Sequence, residues 1–292
     1  MRQTFGQCLI LWHRHCLFIV VMSTKGIYTA VSGAVAQSAQ LDTIANNIAN
    51  ANTPGFKKDK QLFKEYLTSY EKQPEVLEVP KIPASIESFY PLNGGDKSYV
   101  DVQGTTTSFT QGALKLTGNA LDLGLEGDAF FEIQTPGGPR FTRNGNFTIN
   151  GSGQVVNKDG FPLLLSGEEG QPAEERIIQI EDQKKFNVTA QGDVFVNGEN
   201  LGKLSLKATT EKDALHKQGS SLYTIRENFD NQIVDATNFR VHQGAFEQSN
   251  VNIVQEMTNM INASRVFEST QKVIQAYDQM NSKLANDVPK LR

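Results

Sequence analysis

Cysteine is nearly absent from this chain, and its two copies, Cys8 and Cys16, both lie within the first 21 residues. Everything after Val21 therefore lacks a disulfide framework, a cysteine-based metal centre and a thiol nucleophile. Tryptophan occurs once, at Trp12. Histidine is scarce: His13 and His15 share that opening stretch, and His216 and His242 stand apart with no HxH or HxxxH partner. No P-loop, nucleophile elbow or zinc motif is present, so the sequence offers no catalytic, cofactor or metal-ligating residues. Basic charge is not in excess either. The 28 Lys and Arg are interspersed with 32 Asp and Glu, leaving a formal charge of -4. Without a basic stripe, nucleic acid is not expected as a partner. Long apolar runs are missing as well; Leu17–Val21 is far too short to span a bilayer.

The first 21 residues, MRQTFGQCLILWHRHCLFIVV, contain no acid. As a signal peptide they fail, because His13-Arg14-His15 splits the apolar core and no small-residue cleavage site precedes Lys25. The compositional break at Met22 points to a true start there, with residues 1–21 a spurious or disordered extension. The body Met22–Arg292 then carries 26 basic and 32 acidic residues, net -6.

Glycine is missing between Gly33 and Gly55 and again after Gly244. Helical ends and a turn-rich middle follow. Asn93-Gly94, Asn144-Gly145, Asn150-Gly151, Asp159-Gly160 and Asn197-Gly198 are hairpin-type signals. Between them the predicted strands are 121–125, 129–134, 147–149, 155–156, 161–165, 177–180, 193–196, 201–208 and 221–225. Strands this short and evenly spaced suggest a sandwich or barrel. The stretch 167–175 reads as an exposed acidic loop, and the four prolines of Pro74–Pro91 as an extended connector.

At the N-terminal end Ile27, Ala34, Leu41 and Ile48 fall seven apart, with Val31 and Ala45 between them. At the C-terminal end Ile253, Met260, Phe267 and Ile274 do the same, flanked by Met257 and Ile261 and continued by Tyr277, Met280 and Leu284. A seven-residue period is the signature of a coiled-coil seam. Ser249-Asn250-Val251-Asn252 supplies capping residues, with Gln255 three beyond Asn252. The run Leu41–Phe56 carries Asn46, Asn47, Asn50 and Asn52 in the last turns of its helix. Four asparagines cost about 2 kcal/mol of helix propensity relative to alanine. Thr53-Pro54-Gly55 then ends the helix, since Pro54 disfavours a helical Thr53 and Gly55 permits a corner. A helix so weakened is expected to be completed by partners. Lys57, Lys58 and Lys60 just beyond read as a solvated basic face.

The chain resembles the bacterial flagellar rod and hook proteins, above all the basal-body rod proteins. Three blocks carry the likeness: LDTIANNIANANTPGFKK; GALKLTGNALDLGLEGDAFFEI with RFTRNGNFTINGSGQVVNKDGFPLLL; and QGAFEQSNVNIVQEMTNMINASRVFESTQKVI. GIYTAVSGA and MTNMINASRVFE are closest to the proximal-rod branch, with the distal-rod branch second. The resemblance implies an α+β fold. A discontinuous helical coiled-coil domain from residues 22–56 and 245–286 forms an inner tube. Residues 57–120 are a connector with β elements, 121–244 an inserted β-rich, sandwich- or barrel-like outer domain, and 287–292 a tail. It also implies export through the flagellar type III apparatus without a cleaved signal, and helical polymerisation into the periplasmic rod. The partners it implies are copies of the chain, other rod subunits and the export apparatus; no membrane span or small-molecule substrate is implied.

On that reading the N-terminal assembly seam is Ile27, Val31, Ala34, Leu41, Ile44, Ala45, Asn46, Asn47, Ile48 and Asn50. The chain corner is Asn52, Thr53, Pro54, Gly55 and Phe56, with Phe56 docking the next segment. The C-terminal seam is Ser249, Asn250, Val251, Ile253, Met257, Met260, Ile261, Phe267, Ile274 and Tyr277. An enzyme is the chief rival. Asp122, Glu126 and Asp128 are the paired carboxylates it would use, but turn and strand-edge polarity is the better reading. Gly124 to Gly127 joins strands rather than opening a helix, so it is no phosphate cradle. A surface adhesin with a helical stalk is the second rival, and it lacks a visible secretion signal.

Overall fold

The computed structural model describes residues 5–68, 97–167, 171–180, 186–219, 221–226 and 233–287. Two long helices bracket a β-rich middle, the α+β arrangement to which the glycine distribution points. The first helix, α1, spans Phe5–Ala49, and the second, α2, spans Ile253–Asp287. α1 has no break at Met22. After Gly6, residues 7–21 hold no glycine or proline that would stop a helix. α1 ends at Ala49, and its last turn tightens as Ala51 N donates to Ile48 O at 3.1 Å. α2 opens behind Asn252, whose Oδ1 accepts from Gln255 N at 3.2 Å.

The described residues fall into two compact units. One holds those within Met1–Ile44, Gln61–Thr105 and Thr258–Arg292. Its α1 face is covered at Ile27, Ala30, Ala34, Gln37, Leu41 and Ile44, steps of three and four residues. α2 is covered with the same rhythm at Met260, Ala263, Phe267, Thr270, Ile274 and Tyr277. The helices approach closely at one end: a Cβ on Gly26 would sit 2.5 Å from Tyr277 Oη. Two long paired strands, Asp59–Thr68 and Lys97–Thr107, stand where a connector is expected. Thr43 Oγ1 donates to Gln61 Oε1 at 3.0 Å, and Gln61 Nε2 donates to Gly104 O at 2.9 Å. The Pro74–Pro91 connector and Asn93-Gly94 lie outside the described residues.

The other unit holds Ala45–Lys60 and Thr106–Met257. An antiparallel six-stranded sheet runs Leu215–Lys217, Leu222–Ile225, Gly138–Thr142, Phe130–Thr135, Leu206–Thr209, Ile233–Asp235. Asn197-Gly198 turns the hairpin between Asp193–Val196 and Glu199–Lys203, with Phe186–Val188 on its other side. Leu123–Gly127 pairs with Phe239–Gln243, and Leu114–Leu116 pairs with Ala245–Glu247. Phe161–Leu165 and Ile177–Ile180 do not form continuous strands; they meet their neighbours in isolated bridges. Their backbone groups instead splice layers together, as where Leu164 N bonds Glu132 O and Ser205 N bonds Leu164 O. The core packs Leu123, Leu125, Phe131, Ile133, Phe147, Leu163, Ile178 and Val194, all fully buried, with Val241 from the C-terminal side. Glu132 is buried beneath it, bonded to Ser205 Oγ and, at 2.6 Å, to Arg176 Nη2.

Candidate assembly site

The corner Thr53–Phe56 is where the sequence signals concentrate, and the structure builds a polar cluster around it. Gly55 takes φ +67°, a left-handed conformation that a side chain disfavours. A Cβ there would also lie 2.4 Å from the Arg143 carbonyl carbon. Its N–H donates to Glu247 O at 2.8 Å. Phe56 is buried, and the Lys217 ammonium stands 3.7 Å from its ring centroid.

Lys57 corrects the sequence reading most sharply. It is not part of a solvated basic face: it is 1% exposed, and its Nζ lies 2.6 Å from Glu247 Oε1. Burial pushes its ammonium below the ordinary lysine range, with Glu247 pulling the other way. Lys57 Nζ also donates to Thr110 O at 2.9 Å, and Gly112 N donates to Glu247 Oε1 at 2.7 Å. Arg143, likewise buried, reaches Glu247 Oε2 at 3.4 Å and Gly127 O at 2.5 Å. Its guanidinium stacks 4.8 Å from the Phe130 ring centroid, and desolvation lowers its pKa too.

A second set of bonds adjoins the first. Asn47 is buried and brackets the backbone of Asp59, donating to its O at 2.8 Å and accepting from its N at 3.0 Å. Lys58 Nζ lies 2.7 Å from the buried Glu256, and Asn47 Nδ2 lies 3.4 Å from the same carboxylate. Asn250 Oδ1 accepts from Lys58 N at 2.8 Å, while its Nδ2 donates to Ser108 O and Thr110 O. Lys217 Nζ bonds Asp59 Oδ2 at 2.8 Å, and Thr107 Oγ1 bonds Asp59 Oδ1 at 2.7 Å. The arrangement has the chemistry of a clamp. Each of its lysines and arginines pairs with a carboxylate of the same cluster.

The expected seam residues divide. Ala34, Ile44 and Asn47 are buried; Ile27, Leu41, Ile48 and Asn50 are half-buried; Val31, Ala45 and Asn46 are exposed. At the corner Gly55 and Phe56 are buried, Thr53 and Pro54 half-buried and Asn52 exposed. Ser249, Asn250, Val251, Met260, Phe267, Ile274 and Tyr277 are half-buried, whereas Ile253, Met257 and Ile261 are exposed. Arg143, Glu247 and Glu256 were not singled out by sequence, and Lys57 only as part of a solvated face. Only the position of Glu256, in the first turn of α2, carried a local signal.

The rival carboxylates are separated in use. Asp122 is buried and bonded to Thr117 and Asn146, Glu126 pairs with His242 at 2.9 Å, and Asp128 pairs with Lys212 at 2.9 Å. Those hydrogen bonds hold Glu126 and Asp128 below the usual carboxylate range. Among the described residues no group of three or more His, Cys, Asp or Glu is placed to hold a metal ion, and no helix is long and apolar enough to cross a membrane.

Known proteins are similar to this chain over most of its length. The flagellar basal-body rod protein FlgF of Rhizobium meliloti is 34% identical over 84% of this chain and 89% of its own length. The chain belongs to the flagellar basal-body rod family. The rod-protein family models fall on its ends: flagella basal body rod protein at residues 27–57 and flagellar basal body rod FlgEFG protein C-terminal at 242–287. The FlgE/F/G D1 domain model of the hook protein matches 124–196. In Bacillus subtilis, the flagellar hook-basal body complex protein FlhO is 31% identical over 91% of this chain and 99% of its own length. The Bacillus subtilis rod protein FlgG is 30% identical over 90% and 98%. The family is one of structural flagellar proteins and not an enzyme family.

Proposed function

We propose that the protein is a structural subunit of the flagellar basal-body rod, joined to its neighbours through its terminal helices. One observation carries this reading. The two terminal segments matched by rod-family models, 27–57 and 242–287, meet in one buried set of bonds through Asn47, Lys57, Lys58, Glu247 and Glu256. A shaft that transmits torque needs many subunits locked by large interfaces, and repeated heterologous contacts generate a helical filament.

Exposure along the helices supports the assembly role. Tyr28, Val31 and Val35 on α1, and Ile261, Val266, Val273 and Met280 on α2, are large apolar residues left exposed. They lie beside the covered heptad positions, so each helix has one face used within the chain and a second free for other subunits. In this reading residues 22–56 and 245–286 form the inner tube and 121–244 the outer domain. The chain leaves the cell through the flagellar export apparatus without a cleaved signal. GIYTAVSGA and MTNMINASRVFE favour a proximal, FlgF-like position over a distal, FlgG-like one.

Deletion of the gene tests the assignment. The mutant is expected to lose its filaments and swimming, with both restored by the full chain but not by one lacking residues 258–292. A motile, fully flagellated deletion mutant would refute it.

A further inference from the structure

The buried carboxylate of Glu247 arrives late in the chain, yet it serves cations placed early. It follows Lys57 by 190 residues and Arg143 by 104. Both cations are buried, and among the described residues Glu247 is the carboxylate within ion-pair reach of both. Its neighbours share the delay. Gly55 N–H and Gly112 N–H are satisfied by Glu247, and Ala113 O by Gln248 N. Leu114–Leu116 gains its ladder partner only with Ala245–Glu247. Burying a charge without its partner costs several kcal/mol, so the corner around Lys57 is unfavourable before Glu247 is present.

We propose that Ala245–Glu247 is a folding latch: the segment from Gly55 to Lys57 and the strand Leu114–Leu116 stay open until the C-terminal strand brings Glu247 between Lys57 and Arg143. The end of the chain licenses closure of its beginning. A chain made or moved N-terminus first therefore keeps this region unclosed until residue 247 is available. The inference rests on these charges and bonds within the chain and stands apart from the assembly reading.

Full-length variants test it through charge bookkeeping. Glu247→Gln leaves two buried cations without their ion pairs, with only Asp128 acting on them from farther away. Lys57→Met leaves Arg143 facing Glu247. The double variant leaves Arg143 alone. Hydrogen exchange is read at the amides of 55–58, 112–116 and 245–248. Glu247→Gln is expected to speed exchange there at least tenfold, Lys57→Met much less, and the double variant to exchange more slowly than Glu247→Gln. Wild-type protection in Glu247→Gln, or no rescue by the second change, would overturn the latch. Should Glu247→Gln not fold, pulse labelling during wild-type refolding decides. Amides of Gly55, Gly112 and Ala245–Glu247 must gain protection in one phase; earlier protection of Gly55 and Gly112 refutes the proposal.

Discussion

Replacing Gly55 with alanine separates the three demands that the corner makes. The first is conformational: φ +67° is a left-handed backbone, which costs alanine about 1–2 kcal/mol. The second is spatial. The new methyl would lie 2.4 Å from the backbone of Arg143 and Asn144, and backbone cannot swing aside as a flexible side chain does. Moving Gly55 clear weakens its 2.8 Å bond to Glu247 O, the third demand, worth about 1 kcal/mol. Against these stands a gain of about 0.5–1 kcal/mol from the stiffer unfolded chain. With about 1–2 kcal/mol added for the overpacking clash, the balance is a loss of about 3 kcal/mol. Gly118 supplies the control, because it has φ +77° but open space where a Cβ would go. Gly118→Ala is expected to lose only about 1 kcal/mol, the conformational cost less the same gain. Urea titration followed by tyrosine fluorescence reads the difference. With a slope of about 2 kcal/mol/M, Gly55→Ala shifts the midpoint down by about 1.5 M and Gly118→Ala by about 0.5 M. Equal shifts would mean that Arg143 does not press on Gly55, and the packing of this corner would have to be redrawn.

Other consequences are as direct. Tyr223 is fully buried and its hydroxyl has no hydrogen-bond partner among the described residues, so Tyr223→Phe should leave stability unchanged or raise it by up to about 1 kcal/mol in a thermal melt. Burial also raises the Tyr223 pKa from its usual 10. The folded chain thus holds that proton while the unfolded chain releases it, and stability falls as pH rises above 10, a fall that Tyr223→Phe should lessen. Asn47→Ala removes both bonds to the Asp59 backbone and should cost about 2 kcal/mol; Asn47→Asp should cost more, because it sets a second carboxylate beside buried Glu256. In purified monomer, amide exchange should be fast along 26–44 and 258–287, where helix with exposed apolar residues awaits partners, and slow at 55–58. Uniform strong protection of the helices would contradict partner-dependent ordering.

The helices and the β-rich middle were legible because their signals are local. Heptad spacing marks Ile27 to Ile48 and Met260 to Tyr277, and the glycine gaps bound them. Asn197-Gly198 named its hairpin correctly. Asn144-Gly145 did not, because it packs against Leu123 instead of joining paired strands: a Cβ on Gly145 would strike Leu123 O. The strands Ala245–Glu247 and Leu114–Leu116 are short and take their stability from each other across the chain, so neither stands out alone. The clamp was the least legible feature. A lysine after Pro-Gly-Phe looks solvated until its counterion is known, and Glu247 lies 190 residues away with no spacing rule to link them. Asn47 was flagged for its poor helix propensity, and its bonds to Asp59 supply the physical return for that weakness.

The bond from Gly55 N to Glu247 O has an evolutionary meaning beyond stability. It sets the start and finish of the intervening 191 residues 2.8 Å apart. A segment whose two ends are adjacent is a cassette: its length and surface can change while the chain on either side continues undisturbed. Insertions at the exposed Asn197-Gly198 turn would leave Asn47, Glu247 and Glu256 with the partners they already have. The same two chain ends can thus continue around a middle of varied length.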